Sequence, residues 1–166
     1  MVNKDLISTL SVKDYRFIVR KTNLFALDLI IEDKEGKILL GLRTNAPARG
    51  FWFVPGGRVY KNEQLKKAMI RIMRDETGLN VDDIETISFH GLYEHIYDDN
   101  FFDDPTFNTH YLIAVCRINL ARDKLLLSDY QHKRLRFASV DELQSDPLVH
   151  PFVKFYFMDK PPNRFL

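Results

Sequence analysis

The residues best suited to chemistry lie in one stretch, residues 53–79, which combines a strand, a glycine turn and a helix. The helix is predicted over residues 63–77, with Asn62 as its N-cap and Gly78 as its left-handed C-cap. Its apolar positions recur at helical spacing and form one buried stripe, made of Leu65, Ala68, Met69, Ile72 and Met73. Glu76 continues this stripe, so its carboxylate points along the core-facing side of the helix.

A buried carboxylate such as Glu76 is costly unless a cation compensates its charge. Two partners remain open on the helix pattern alone: an arginine, for which Arg71 and Arg74 are near in sequence, or a hard divalent cation. The turn Pro55-Gly56-Gly57 favours the cation, because glycine lets backbone groups approach a metal or a phosphate closely.

The same stretch resembles the Nudix box. The matching positions are Gly57, Glu63, Arg71, Glu76, Gly78 and Leu79. Two positions depart from that pattern: Ile72 replaces the Glu that follows the arginine, and Asp75 replaces the first of the paired Glu residues. In an ordinary Nudix hydrolase the clustered carboxylates collect several Mg²⁺ ions and activate water for attack on phosphorus. The loss of a carboxylate predicts fewer metal ions and a different attacking group.

Four further segments, FWFVPGGRV, GLYEHIYDDNF, THY and LLLSDYQH, resemble one Nudix subgroup, the GDP-mannose mannosyl hydrolases. This resemblance implies attack of water on the anomeric carbon of the sugar, with release of GDP and mannose. It also implies that Glu76, the backbone carbonyl of Gly56 and the side chain of Gln131 bind Mg²⁺, with Mn²⁺ as a substitute, and that His132 is the general base. Asp75 is not required as a ligand.

The resemblance assigns six more residues to the site. They are Arg43, Arg58 and Tyr111 for the diphosphate, Asp28 and His95 for the sugar, and Arg71 for the box. Two of them also have a purely structural interpretation: Asp28 can be the partner of an arginine, and Arg43 can be a surface charge.

These residues need a scaffold of alternating strands and helices. Strands are predicted over residues 24–32, 37–43, 84–97, 110–119 and 134–138, and helices over residues 11–21 and 149–157 and after a capping box at Ser139 and Glu142. This order predicts an α/β protein with a mixed sheet sandwiched between helices, as the Nudix resemblance also implies. The acidic and aromatic segment 97–105 is either a solvated loop or a lid over the sugar.

Composition limits the classes of partner. The 166 residues, 45% of them hydrophobic, predict one domain spanning residues 1–166. A net charge of +1 argues against a nucleic-acid surface. Cys116, the single cysteine, is predicted to be a buried core thiol.

With no signal peptide and no long apolar span, the expected location is the cytoplasm. A homodimer is implied by the resemblance alone.

The sequence therefore predicts Mg²⁺-dependent hydrolysis of GDP-mannose, and of GDP-glucose as a further substrate, with inversion at the anomeric carbon. Two alternatives stay open. One is a conventional Nudix pyrophosphohydrolase that cleaves the nucleotide sugar at phosphorus and yields GMP and mannose 1-phosphate. The other is a Nudix-fold binding domain without catalysis. The guanine-binding residues have no recognisable spacing in the sequence.

Overall fold

A computed structural model describes residues 10–122 and 134–166 of the chain. Its strands are β1 (Leu24–Glu32), β2 (Ile38–Leu42), β3 (Trp52–Phe53), β4 (Gly56–Arg58), β5 (Ile84–Tyr97), β6 (Thr109–Leu120) and β7 (Leu135–Ala138). Its α-helices are α1 (Val12–Lys21), α2 (Leu65–Thr77), α3 (Val140–Ser145) and α4 (Pro151–Phe155), and a 3₁₀ turn spans Val81–Asp83.

The strands in the described part of the chain form one mixed sheet in the order β3-β2-β1-β6-β5, with β4 paired to β1 and β7 paired to β2. Strands β1 and β6 run parallel over the whole length of β1, from Leu24 opposite Tyr111 to Glu32 opposite Asn119. The other pairs are antiparallel. The central position of β1 explains its near-continuous apolar sequence, because helices cover both of its faces.

Alternation along β1 separates two hydrophobic cores. Ala26 and Ile30 belong to the core that contains residues of α3 and α4, such as Leu143 and Val153. Leu27, Leu29 and Ile31 belong to the other core, together with four residues of the α2 stripe, Ala68, Met69, Ile72 and Met73. The prediction that Leu65 is buried with them is wrong, because this first residue of α2 is 53% exposed. Successive side chains of a strand point to opposite faces, so one strand supplies both layers. The predicted α/β sandwich is confirmed.

The predicted start of α2 is wrong by two residues. Gln64, not Asn62, is the N-cap, and Asn62 adopts a positive φ of 65° in a turn before the helix. The turn exists because the Glu63 carboxylate accepts a hydrogen bond from the Tyr60 backbone N–H at 3.0 Å. The end of α2 is as predicted, with Gly78 in the left-handed region at φ 73°.

The other elements lie close to their predicted positions. The bounds of β1 and β5 are those predicted, those of β2 and β6 differ by one residue at each end, and β7 begins one residue later than predicted. Ser11 caps α1 by accepting a hydrogen bond from the Asp14 N–H, and the capping box at Ser139 and Glu142 opens α3. The last helix is shorter than predicted, and Cys116 is only partly buried. Every helix in residues 10–122 and 134–166 is too short or too polar to cross a membrane.

Candidate active site

The site is built around the pairing of β4 with β1, which places Gly56 opposite Asp28. A β-carbon on Gly56 would lie 2.2 Å from Asp28 Oδ1 and 3.1 Å from the Leu27 carbonyl oxygen. Real side chains do not approach so closely, so only glycine allows β4 to lie against this carboxylate. The glycine turn thus brings the backbone of β4 to the Asp28 side chain.

The hydrogen-bond register turns the Gly56 carbonyl away from β1. Leu29 N–H donates to the Pro55 carbonyl at 2.8 Å, and Val59 N–H donates to the Phe25 carbonyl at 3.2 Å. Hydrogen-bonded and non-hydrogen-bonded pairs alternate in an antiparallel ladder, so Gly56 occupies a non-hydrogen-bonded position. Its carbonyl emerges on the same edge of β4 as that of Arg58.

Helix α2 lies along this edge and carries the predicted metal ligand. Arg71 Nη2 donates to the Arg58 carbonyl at 2.9 Å, and a β-carbon on Gly57 would lie 3.2 Å from Ile72 Cγ1. Glu76 follows Ile72 by one helical turn and lines a cavity of about 230 Å³. A carboxylate and a turned-out backbone carbonyl are therefore both presented on the α2 side of β4.

The two arginines near Glu76 have other carboxylate partners. Arg71 Nε and Nη2 donate to the two oxygens of Glu63, each at 2.7 Å, and the Glu63 side chain is 3% exposed. Burial opposes the ionisation of Glu63, but the bonds from Arg71 and from the Tyr60 N–H prevail and lower its pKa. Arg74 contacts Asp75 at 2.8 Å on the surface. Arg71 is thus a positioning residue that ties α2 to β4.

The predicted diphosphate residues line two adjoining cavities. Arg43 and Tyr111 line the large cavity with Glu76, and they also line a smaller cavity of about 50 Å³ whose other walls include Arg58 and Asp28. Arg43 Nε donates to the Pro47 carbonyl at 2.7 Å, which fixes its guanidinium at the junction. The structure therefore brings Arg43, Arg58 and Tyr111 together, and two fixed cations beside one cavity suit an anionic diphosphate.

Asp28 is the acidic group of the smaller cavity. Burial raises its pKa to about 6, although the hydrogen bond from Tyr156 and the charge of Arg43 act in the opposite direction. The Tyr156 hydroxyl donates to Asp28 Oδ2 at 2.6 Å. Asp28 therefore has both the hydrogen-bond partner and the neighbouring arginine that its structural interpretation requires, and it also faces the cavity.

His95 lies behind Asp28 in the same buried network. Its Nε2 is 3.1 Å from the Tyr156 hydroxyl, its Nδ1 is 3.3 Å from the Tyr97 hydroxyl, and its ring stacks on Phe152 at 4.2 Å between centroids. Burial, and to a smaller extent His150, lower the pKa of His95 to about 3, so it is neutral at pH 7. His95 is fully buried and reaches Asp28 through Tyr156.

Sequence reasoning did not identify Tyr156 or Tyr97 as part of this network. Tyr156 lies 128 residues beyond Asp28, so no local spacing could join them. Gln131 and His132, predicted as a metal ligand and as the general base, lie outside the described residues.

The oxygen donors at this site fit a hard divalent cation. Glu76 offers a carboxylate and Gly56 a backbone carbonyl, both of them oxygen ligands that Mg²⁺ prefers. Within residues 10–122 and 134–166, no three His, Cys, Asp or Glu side chains are grouped as a metal site. A cation held by Glu76 would therefore need backbone or amide oxygens as further ligands, and the Gly56 carbonyl is one such oxygen.

A helix packed on a glycine-containing strand, with a carboxylate, two arginines and a cavity beside it, is the arrangement that the Nudix resemblance predicts. The NUDIX domain family matches residues 23–158. The chain belongs to the Nudix family.

Two relatives are similar in sequence. The low-salt glycan biosynthesis protein Agl8 of Haloferax volcanii is 39% identical over 143 residues, which cover 86% of this chain and 85% of that protein. The ADP-ribose pyrophosphatase of Methanocaldococcus jannaschii is 39% identical over 77 residues, 46% of this chain and 44% of that protein. The first similarity therefore spans most of both chains, and the second spans less than half of each.

Solved structures share the fold. The MutT protein of Methanosarcina mazei has a TM-score of 0.62 at 19% identity and covers 81% of this chain and 90% of its own. The MutT Nudix hydrolase of Burkholderia pseudomallei also has a TM-score of 0.62, at 21% identity, with 82% of this chain and 96% of its own covered. At these identities the likeness is one of fold.

Proposed function

We propose that this Nudix protein hydrolyses GDP-mannose, and GDP-glucose as a further substrate, to GDP and the free sugar with the help of Mg²⁺. One observation carries the proposal. Ile72, at the position where the Nudix box has a carboxylate, is 2% exposed and packs against Gly57 in the core that includes α2. The helix therefore presents Glu76 to the cavity, while its neighbour Asp75 pairs with Arg74 on the surface.

A site with fewer carboxylates favours attack on carbon over attack on phosphorus. Attack on phosphorus draws on several metal ions and a metal-activated water, and clustered carboxylates supply both. Attack on the anomeric carbon needs instead a stabilised leaving group and one base near the sugar. Among the described residues are those that stabilise the leaving group.

Each residue then has a defined task. Glu76, the Gly56 carbonyl and Gln131 would hold Mg²⁺, which supplies positive charge to the departing diphosphate when bound. Arg43, Arg58 and Tyr111 bind the diphosphate. These residues orient the glycosidic bond at the cavity that Asp28 and Arg43 share.

The chemical step is a single displacement. His132 takes one proton from water while the water oxygen forms its bond to the anomeric carbon. The bond between that carbon and the diphosphate oxygen breaks, and its electron pair leaves with GDP. Direct displacement inverts the anomeric centre, as in inverting glycosidases, so α-linked GDP-mannose gives β-mannose as first product.

The names of the two relatives bear on the substrate and on the position of cleavage. The name of the Haloferax volcanii relative places that protein in glycan biosynthesis, a process that consumes activated sugars. The Methanocaldococcus jannaschii relative is named for a pyrophosphatase activity, which favours the alternative of cleavage at phosphorus. The homodimeric state and the cytoplasmic location expected from the sequence stay predictions.

Product identification separates these functions. The protein is incubated with GDP-mannose and Mg²⁺ and the products are resolved by ion-exchange chromatography, with ADP-ribose as a parallel substrate. The proposal expects GDP and mannose. GMP and mannose 1-phosphate would show a conventional pyrophosphohydrolase, and GDP-mannose that binds without turnover would show a binding domain.

A further inference from the structure

Helix α1 lies outside the matched Nudix domain, yet one of its side chains lines the candidate active site. The family match begins at residue 23, and α1 ends at Lys21. Tyr15, near the middle of α1, lines the large cavity together with Arg43, Glu76 and Tyr111. An element that precedes the family domain therefore forms part of the wall of its cavity.

Tyr15 contacts Arg58, one of the three predicted diphosphate residues. The guanidinium carbon of Arg58 lies 3.9 Å from the centre of the Tyr15 ring, close enough for a cation–π interaction. Tyr15 also lines the large cavity beside Tyr111, and Arg58 lines the smaller one. One side chain of α1 thus holds a cation of the candidate diphosphate site.

The segment between β5 and β6 holds α1 in this place. The rings of Phe101 and Phe102 lie 5.9 and 5.4 Å from the Tyr15 ring, and Arg16 forms an ion pair with Asp104. The buried side chain of Asn100 organises the segment, since it donates to the Asp104 and Phe107 carbonyls at 2.6 and 2.7 Å. The aromatic and acidic segment therefore serves as an anchor for α1.

Arg58 is consequently held both at its backbone and at its guanidinium. Its backbone carbonyl receives the hydrogen bond from Arg71 on α2, and its guanidinium rests on Tyr15 from α1. Without the second contact, the side chain would have to lose its rotamer freedom when the ligand binds, which weakens binding. The Tyr15 contact removes this cost in advance.

We propose that Tyr15 is a positioning residue for the diphosphate group, which acts by holding Arg58 in its binding orientation. The inference rests on the proposed function only for the identity of the substrate. Its ligand chemistry is the diphosphate, so inorganic pyrophosphate and GDP serve as probes that do not depend on where the bond is cleaved.

The test compares three single variants of α1. Tyr15→Leu removes the ring and the hydroxyl, Tyr15→Phe keeps the ring, and Phe17→Leu is the matched control, because Phe17 lies on the same helix and is 65% exposed. Binding of pyrophosphate and GDP is measured by calorimetry with Mg²⁺, and the midpoint of thermal unfolding is recorded for each variant. Tyr15→Leu is expected to raise both Kd values about tenfold, Tyr15→Phe less, and Phe17→Leu not at all.

A double-mutant cycle with Arg58 distinguishes positioning from general support of the fold. In an Arg58→Gln background, Tyr15→Leu is expected to change the Kd for pyrophosphate by less than about twofold, because the residue through which it acts is gone. Equal effects of Tyr15→Leu in both backgrounds would overturn the proposal, as would an unchanged Kd in Tyr15→Leu alone. If the products prove to be GMP and mannose 1-phosphate, the proposed function fails, but these binding results keep their meaning.

Discussion

The Asp28 carboxylate lies against Gly56 so closely that a β-carbon on the glycine would stand 2.2 Å from Asp28 Oδ1. This contact links the carboxylate of the small cavity to the backbone carbonyl that we assign to the metal. Asp28 is held in turn by the Tyr156 hydroxyl at 2.6 Å. Displacement of either residue should therefore disturb both the sugar side and the metal side of the site.

Substitution of Gly56 tests this relationship. Gly56→Ala must push Asp28 or β4 away, and we expect kcat/KM to fall about 100-fold, because small displacements of reacting groups are costly. Gly57→Ala is the matched control, since its β-carbon would meet the Ile72 side chain at 3.2 Å, a smaller overlap. Steady-state kinetics of both variants gives the comparison. Equal losses in the two variants would argue against a special role for the Asp28 contact.

Glu76 and Asp75 are adjacent acids with different predicted roles. Glu76→Gln should retain the fold, raise the Mg²⁺ concentration needed for half-maximal rate, and lower the rate on the order of 100-fold, because an amide is a poorer ligand for a hard cation. Asp75→Asn should change neither quantity by more than about twofold, since Asp75 pairs with Arg74 at the surface. Magnesium titrations of the rate decide between them. Similar Mg²⁺ dependence in both variants would remove Glu76 from the metal site.

Ile72→Glu restores the carboxylate of the usual box, and we expect no gain in activity. The side chain is 2% exposed in the core beside α2, so the new charge should lower the free energy of unfolding by about 3 kcal/mol. That loss corresponds to a decrease of about 6–12 °C in the unfolding midpoint. Leu65→Glu on the same helix is the control, because Leu65 is 53% exposed. Efficient cleavage of GDP-mannose at phosphorus by Ile72→Glu would instead support the pyrophosphohydrolase alternative.

The Glu63 and Arg71 pair should make stability depend on pH. The pKa of Glu63 lies below its usual 4.5 in the folded state, so the pair stabilises the fold fully above pH 4.5 and loses this effect as the pH falls through the lower folded-state pKa. Glu63→Gln is expected to lower the free energy of unfolding by about 2 kcal/mol at pH 7, and by much less at pH 3. Urea unfolding at both pH values measures the difference. A constant difference across this range would rule out the ionised pair as its cause.

The sequence predicts the scaffold well because its signals are local. The apolar run of β1, the capping box at Ser139 and Glu142 and the glycine after α2 each depend on a few consecutive residues, and their elements appear where expected. The N-cap predicted for α2 is wrong because Glu63 bonds to Arg71 and to the Tyr60 backbone. Together these contacts hold the turn that precedes the helix. Such tertiary contacts override a local capping preference.

The candidate site was predicted in part. Glu76, Arg43, Arg58, Tyr111 and Asp28 were identified from the resemblance, and the structure brings them to adjoining cavities. Sequence reasoning missed Tyr15 and Tyr156 as site residues, because Tyr15 lies on α1 and Tyr156 directly follows α4, and only folding brings them to the site. Their chemical roles, like that of His132, stay predictions.

The position of bond cleavage is the central claim, and hydrolysis in ¹⁸O-labelled water tests it most directly. The protein is incubated with GDP-mannose and Mg²⁺ in labelled water, and the products are analysed promptly by mass spectrometry. Attack on the anomeric carbon places the solvent oxygen on mannose and leaves GDP unlabelled. Solvent oxygen on the phosphate of the nucleotide or sugar product, with no label on the anomeric carbon, would contradict the account.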